Sequence, residues 1–176
     1  KFKNIKTIPI PGQKLEYKKK YSKKIKNKFK NIFSKNYINI LFVGRFSKQK
    51  NLELWLKIAD NVLNDEDLKK LKIKFFIVGD GPEKINVKKI INSSNVKKNI
   101  HLVRWLSKSE IEYFYRYSDI YLLTSNYEAT PRCVQEAHRM RLPVVSTLST
   151  GTEDVILNGK SGYLTKIKDE LSLIKK

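Results

Sequence analysis

One cysteine, Cys133, has no second thiol to pair with, so no internal disulfide staples this 176-residue chain. A lone thiol fits a reducing compartment. No run of 18 apolar residues occurs, which excludes a membrane-spanning helix in this sequence. Residues 1–11 lack the apolar core and cleavage site of a secretory signal. The first residue is Lys1 rather than Met, so the sequence is expected to be a fragment or a processed piece. Acidic residues are scarce, 17 against 37 Lys and Arg, for a net charge of +20. Arginine is scarce too, six against 31 lysines. Nucleic-acid surfaces lean on Arg for bidentate contacts with phosphate and guanine, so this shortage argues against a nucleic-acid partner. Two sources of the excess stay open: an AT-rich genome, which favours Lys, Ile and Asn, and an anionic surface, membrane phospholipid foremost. Cys133, His138 and His101 lack metal-ligand spacing, and no metal is expected.

What is present suffices for one domain: 40% of the residues are hydrophobic, at a length of ordinary domain size. Residues 1–36 are Lys-rich, and "IPIPG" near their start reads as a linker. A basic helix is expected over 15–33. From residue 37 the pattern becomes regular. "INILFVG" (38–44), "IKFFIVG" (73–79), "IHLVRWL" (100–106), "DIYLLTS" (119–125), "PVVST" (143–147) and "GYLT" (162–165) read as short buried strands. Helical patterns alternate with them: 51–63, 83–92, 107–117 behind the capping box "SKSE", 132–140, and a short helix near Glu153. Such alternation predicts an α/β fold, a Rossmann-like doubly wound parallel sheet covered on both faces. Ligands of such sheets bind at the carboxyl ends of the strands.

Three constellations lie at those ends. In "VGRFSKQKN" (43–51), Arg45 follows a strand and Lys50 precedes a helix; together they either hold a diphosphate or stand as two solvated cations. "GDGP" (79–82) is neither a dinucleotide fingerprint nor a P-loop, and reads as a turn. In "SNYEATPRCVQEAHRM" (125–140), Glu128 precedes a helix and Glu136 lies about two turns inside it, with Thr130 or Asn126 expected as the helix cap. Two acids so placed either touch different parts of one elongated ligand or pair with nearby lysines. Cys133 reads as a packed thiol, and Tyr113, Tyr115 and Tyr117 as packing residues.

The segment "SNYEATPRCVQEAHRMRLPVVST" resembles the E-x7-E stretch of retaining nucleotide-sugar glycosyltransferases of the GT-B fold, especially family 4. "VGRFSKQKN", "FFIVGDGP", "SKSEIEYFYRYSDIYLLTS" and "GTEDVILNGKSGYL" resemble the family's other blocks in order, from Ile38 to Leu164. The resemblance implies one half of a GT-B fold: residues 37–176 as the donor-binding domain, 1–36 as interdomain segment, and the acceptor domain absent. It implies a donor site of Gly44, Arg45, Lys50, Glu128, Ala129, Thr130 and Glu136, with Arg45, Lys50 and Glu128 catalytic. Arg45 and Lys50 would take the diphosphate, Glu128 the sugar hydroxyls and Glu136 the ribose hydroxyls. The implied activity is transfer of a hexose from a nucleotide-sugar to a cell-surface glycan or glycolipid, with retention and without cofactor or metal. The fragment alone is expected to be inactive. The implied setting is cytoplasmic, with peripheral contact on the inner face of an anionic membrane. Ala129, Arg104 and Asn51 stand where the family often has Gly. The alternatives are a basic non-catalytic module docking on anionic lipid or nucleic acid, and a degenerate partner subunit.

Overall fold

The structure, a computed structural model, describes residues 21–34 and 36–166. Six strands form one parallel sheet: β1 (Ile38–Val43), β2 (Ile73–Val78), β3 (Ile100–Val103), β4 (Ile120–Leu123), β5 (Val144–Thr147) and β6 (Gly162–Thr165). Their order in the sheet is β3-β2-β1-β4-β5-β6. This is the doubly wound, Rossmann-like order anticipated from the alternation, and it reverses direction between β1 and β4. The helices are α1 (Lys23–Lys28), α2 (Leu52–Asn64), α3 (Lys84–Ser93), α4 (Lys108–Tyr117) and α5 (Arg132–Arg139). The expected "IPIPG" linker and residues 167–176 lie outside the described residues.

The core follows from the two-residue period of a strand. Phe75 and Phe76 are neighbours in sequence and point to opposite faces. Phe75 meets Trp55 of α2, with ring centroids 5.4 Å apart. Phe76 meets Phe114 of α4 at 5.8 Å. All four side chains are fully buried. The apolar strands thus read as continuous runs because both faces are covered.

The basic helix expected over 15–33 is shorter among the described residues, where only Lys23–Lys28 is helical and turns follow. Apolar side chains are too sparse there to sustain a longer amphipathic stripe. The ring-bearing residues instead dock on α4 and β2. Phe29 meets Phe114 at 5.1 Å, Phe33 meets Phe76 at 4.8 Å, and Tyr21 meets Tyr113 at 5.1 Å. Lys28 adds an ion pair to Glu110. Glu110 also completes the capping box that "SKSE" announces, accepting from the Ser107 N–H and hydroxyl, both at 2.8 Å. The short helix expected near Glu153 is a run of turns. Gly151 sits at φ +83°, and the Thr152 hydroxyl competes for local backbone, accepting from Ser149 N–H at 2.9 Å.

Backbone pairing between β1 and β4 covers only Ile40–Ile120 and Leu41–Tyr121. Beyond Leu41 the two strands part. Val43 would then bury an N–H and a C=O without a ladder partner. The Tyr121 hydroxyl serves both, donating to Val43 O at 2.9 Å and lying 3.4 Å from Val43 N. On the opposite side of the split, the Trp55 indole donates to Leu122 O at 3.0 Å. Burial pushes the Tyr121 hydroxyl well above its ordinary pKa, so it stays a donor.

Tyr121→Phe removes the hydroxyl and leaves both Val43 groups unpaired. It is expected to lower unfolding free energy by about 1–3 kcal/mol, read as a lower urea midpoint; an unchanged midpoint would contradict the bridge. Glu110 yields a pH test. Burial raises its pKa, but the bonds from Lys28 and Ser107 outweigh that and bring it from 4.5 to about 2. A depressed folded pKa stabilises above the unfolded value and is lost as pH falls through the folded one. Wild type should therefore lose stability between pH 4.5 and 2 by roughly 3 kcal/mol more than Glu110→Gln. Parallel acid-unfolding curves would show that the acid contributes nothing.

Candidate functional site

The split between β1 and β4 opens a cleft of about 370 Å³ at the carboxyl edge of the sheet. Gly44, Arg45, Gln49 and Lys50 enter it from the loop after β1, and Glu128 and Thr130 from the loop after β4. Glu136 and Cys133 enter from α5, and Trp105 from the segment after β3. Six of the seven residues proposed from sequence therefore line one cleft. Ala129 is not among its lining residues. It lies under the loop after β5: a Cβ on Gly151 would stand 2.1 Å from Ala129 O, so only Gly allows that approach.

The two principal loops are fastened to each other. Asn126 N–H donates to Gln49 O at 2.8 Å, and the Asn126 amide to Lys48 O at 3.1 Å. The Thr124 hydroxyl donates to Lys50 O and Asn51 O at 3.1 and 3.0 Å. Asn51 takes a left-handed backbone, φ 46°, and its side chain caps α2 through Leu54 N–H. Asn is the non-glycine residue best suited to that conformation.

Lys50 and Glu128 meet at the centre. Lys50 Nζ lies 2.5 Å from Glu128 Oε1, with side chains 14% and 6% exposed. Burial makes the pair costly to break from one side, because the charge left behind has no partner and little water. The Ser125 hydroxyl donates to the same oxygen at 2.6 Å. The Gln49 amide donates to Tyr127 O at 2.9 Å and approaches Glu128 Oε2 at 3.4 Å. Glu128 thus lines the cleft while paired with a lysine. Arg45 is exposed and has no ion-pair partner among the described residues.

The helix begins at Arg132 as expected, and Glu136, four residues on, lies about one turn into α5 and not the two expected. The Tyr115 hydroxyl donates to Glu136 Oε2 at 3.2 Å. Burial, more than the neighbouring Cys133 and Glu136, holds that hydroxyl protonated. Neither Thr130 nor Asn126 caps α5. Pro131 occupies the cap position without a side-chain hydrogen bond, and Asn126 is committed to the β1 loop. The helix therefore starts, uncapped by a side chain, between Thr130 and Arg132 on the cleft wall. Cys133 lies in the same wall, and burial raises its thiol pKa.

"GDGP" is the expected turn. Gly79 and Gly81, at φ 154° and 155°, lie so near the β1 loop that a Cβ would come within 1.9 Å of Gly44 O or 2.4 Å of Phe46 O. Asp80 pairs with Lys84 at 2.6 Å, outside the cleft lining. Among the described residues no group of three or more His, Cys, Asp or Glu side chains could hold a metal ion, and no helix is long and apolar enough to cross a membrane. Sequence reasoning missed Gln49, Ser125 and Tyr115 as site residues. Gln49 sits in a single 3-10 turn after β1 and Ser125 just past the end of β4, and Tyr115 reads as one more packing tyrosine.

The buried pair makes a coupling prediction. Lys50→Met should cost about 3–5 kcal/mol by stranding the Glu128 carboxylate. The double variant Lys50→Met/Glu128→Gln should lose clearly less than the sum of the singles in urea unfolding. Additive losses would mean that the contact carries no energy.

Residues 23–176 match the family described as Glycosyl transferases group 1. An uncharacterized 41.2 kDa protein of the Klebsiella pneumoniae cps region is 31% identical over 135 residues, 77% of this chain and 34% of that protein. The amylovoran biosynthesis glycosyltransferase AmsD of Erwinia amylovora is 31% identical over 134 residues, 76% of this chain and 35% of that one. The chain spans about a third of the length of these relatives. HepE of Anabaena, crystallised with UDP and glucose, superposes with a TM-score of 0.71 at 18% identity, over 88% of this chain and 42% of HepE.

Proposed function

This chain belongs to the group 1 glycosyl transferases, and from that premise we propose that it binds the nucleotide-sugar donor of a hexosyl transfer. The observation that carries the reading is the meeting of Arg45, Lys50, Glu128 and Glu136 in one cleft at the point where the sheet reverses. Ligands of doubly wound sheets sit at that point. A donor of this class has hydroxyls at both ends and two phosphates between. Carboxylates suit the hydroxyls as acceptors, and cations suit the phosphates.

In this reading Arg45, free of an ion pair among the described residues, and Lys50 receive the diphosphate. Glu128 accepts from the sugar and Glu136 from the ribose. Gly44 lets the backbone come close, and Thr130 lines the sugar end. As the glycosidic bond breaks, negative charge gathers on the departing diphosphate. Arg45, Lys50 and the start of α5 stabilise it more in the transition state than in the ground state. Retention follows if the acceptor attacks from the face that the diphosphate leaves. The acceptor, a glycan or glycolipid, is held by a further domain of the whole protein, and this domain alone does not transfer sugar. The relative AmsD is named for amylovoran biosynthesis, which supports a polysaccharide product. Lys23, Lys24, Lys26 and Lys30, exposed around α1, support peripheral docking on an anionic membrane.

Calorimetry with UDP, GDP and ADP and their hexose derivatives tests the donor site. At least one nucleotide should bind below millimolar concentration. Glu136→Ala should weaken the free and the sugar-bearing nucleotide alike. Glu128→Gln should weaken the sugar-bearing ligand selectively, by about 1.5–3 kcal/mol for a charged hydrogen bond. Equal losses for both ligands in both variants would remove this division of roles.

A further inference from the structure

Glu136 enters the cleft from α5 and is 9% exposed. A carboxylate so enclosed needs hydrogen-bond donors around it. Tyr115 provides one from α4, its hydroxyl 3.2 Å from Glu136 Oε2. The same hydroxyl lies 3.3 Å from Cys133 O. It has one proton to give, and a carboxylate is the stronger acceptor. Cys133 O is moreover a carbonyl of the first turn of α5, which the N–H groups of that helix already serve. Tyr115 itself does not reach the ligand space. It stands one turn beyond Ile111 on α4; Ile111 lines the cleft, whereas Tyr115 is 1% exposed and outside the lining. Its ring stacks on Tyr121, with centroids 5.7 Å apart and planes at 29°. The Tyr121 hydroxyl in turn holds Val43 O, the residue before Gly44. The setting of Glu136 is thereby referred to the same point of the sheet from which Gly44 and Arg45 enter the cleft.

We infer that Tyr115 is a positioning residue, whose hydroxyl fixes the plane of the Glu136 carboxylate so that the ribose hydroxyls of the donor meet an acceptor already set in place. This rests on the donor-site reading above and adds to it a residue that touches no ligand atom. A glutamate side chain turns about three torsions, and an untethered carboxylate has to be ordered anew by every ligand. Two neighbouring hydroxyls at a fixed separation accept only a narrow range of those torsions. With Tyr115 in place the ordering is done on folding, and the ligand finds the acid ready. Burial keeps the proton on the Tyr115 hydroxyl, so the donor is present throughout the neutral range.

Tyr115→Phe removes the hydroxyl and keeps the ring that stacks on Tyr121. The whole 176-residue chain as wild type, Tyr115→Phe, Glu136→Gln and the double variant is titrated calorimetrically with three ligands: the tightest nucleoside diphosphate, its dideoxyribose form, which lacks both ribose hydroxyls, and inorganic pyrophosphate. Wild type should prefer the ribose form. Tyr115→Phe should weaken the ribose form by about 3- to 10-fold, the weight of one hydrogen bond, and leave the dideoxyribose form and pyrophosphate unchanged. With Glu136→Gln already present, Tyr115→Phe should narrow the ribose preference little further. Equal weakening of the ribose and dideoxyribose forms would reduce Tyr115 to a packing residue. An undiminished ribose preference in Tyr115→Phe, or a loss of the same size in the Glu136→Gln background, would overturn the tether. If the urea midpoint shows Tyr115→Phe to be unfolded, fluorotyrosine placed at position 115 takes its part; as a stronger donor of nearly the same shape it should change the ribose preference and nothing else, and an unchanged preference would overturn the role. Wild type that binds the ribose and dideoxyribose forms equally would remove Glu136 from the ribose and Tyr115 with it. Absence of nucleotide binding by wild type would instead overturn the donor site itself, and the positioning role built on it.

Discussion

Two neighbouring parallel strands that part at their ends set the terms for the rest of this molecule. β1 and β4 pair through Leu41 and Tyr121 and then diverge. Divergence makes room for a ligand, but it strands backbone groups in a place water does not reach. Side chains take over where the ladder stops: the Tyr121 hydroxyl at Val43 and the Trp55 indole at Leu122. The loops beyond are then tied across the opening by Thr124 and Asn126. The cleft is therefore a braced gap in the sheet and not a depression on its surface. Its walls are fixed before any ligand arrives, as electrostatic stabilisation of a developing charge requires.

A chain of net charge +20 has cations to spare, so its buried carboxylates carry more information than its lysines. Glu128 is 6% exposed and held by Lys50 and Ser125. Glu136 is 9% exposed and accepts from Tyr115. Each acid thus sits in the cleft with at least one protein donor already in place. In the proposed donor site, a ligand that brought phosphate to Lys50 would compete with Glu128 for the same ammonium group, so diphosphate and carboxylate would share one cation. On that proposal Lys50 would couple the two halves of the ligand site, and Arg45 would be left to respond to the phosphates alone.

The strands and their order were legible in the sequence because runs such as "INILFV" and "KFFIV" are apolar on both faces, which parallel sheets demand. The capping box at Ser107 was legible from spacing. The two acids were legible as residues, and the family resemblance implied a shared site for them. Their partners were not. Gln49 acts from one short 3-10 turn and Ser125 from just past the end of β4, where no sustained period says which way a side chain points. Pro131 ends up at the start of α5 because Asn126, a better cap in isolation, is drawn to the β1 loop by a contact 78 positions away. Tyr115 combines burial with a hydroxyl on Glu136, and only the tertiary packing distinguishes it from Tyr113, which packs on Tyr21 and Phe29.

The strand order also dictates a sequence of events during synthesis on the ribosome. β1 lies in the middle of the sheet, yet its partner on one side is translated much later; Asn39 on β1 and Asp119, which anchors the start of β4, are 80 positions apart. β2 and β3 emerge first and can build one half of the sheet against β1. Until Leu123 has left the exit tunnel, the apolar strand β1 presents an open edge to solvent and to neighbouring nascent chains. At ordinary elongation rates that interval lasts several seconds. The arrangement that places the cleft at the centre of the finished sheet thus gives β1 the longest wait of any strand for its second neighbour, and the nascent chain is vulnerable to chaperone capture or misassociation there.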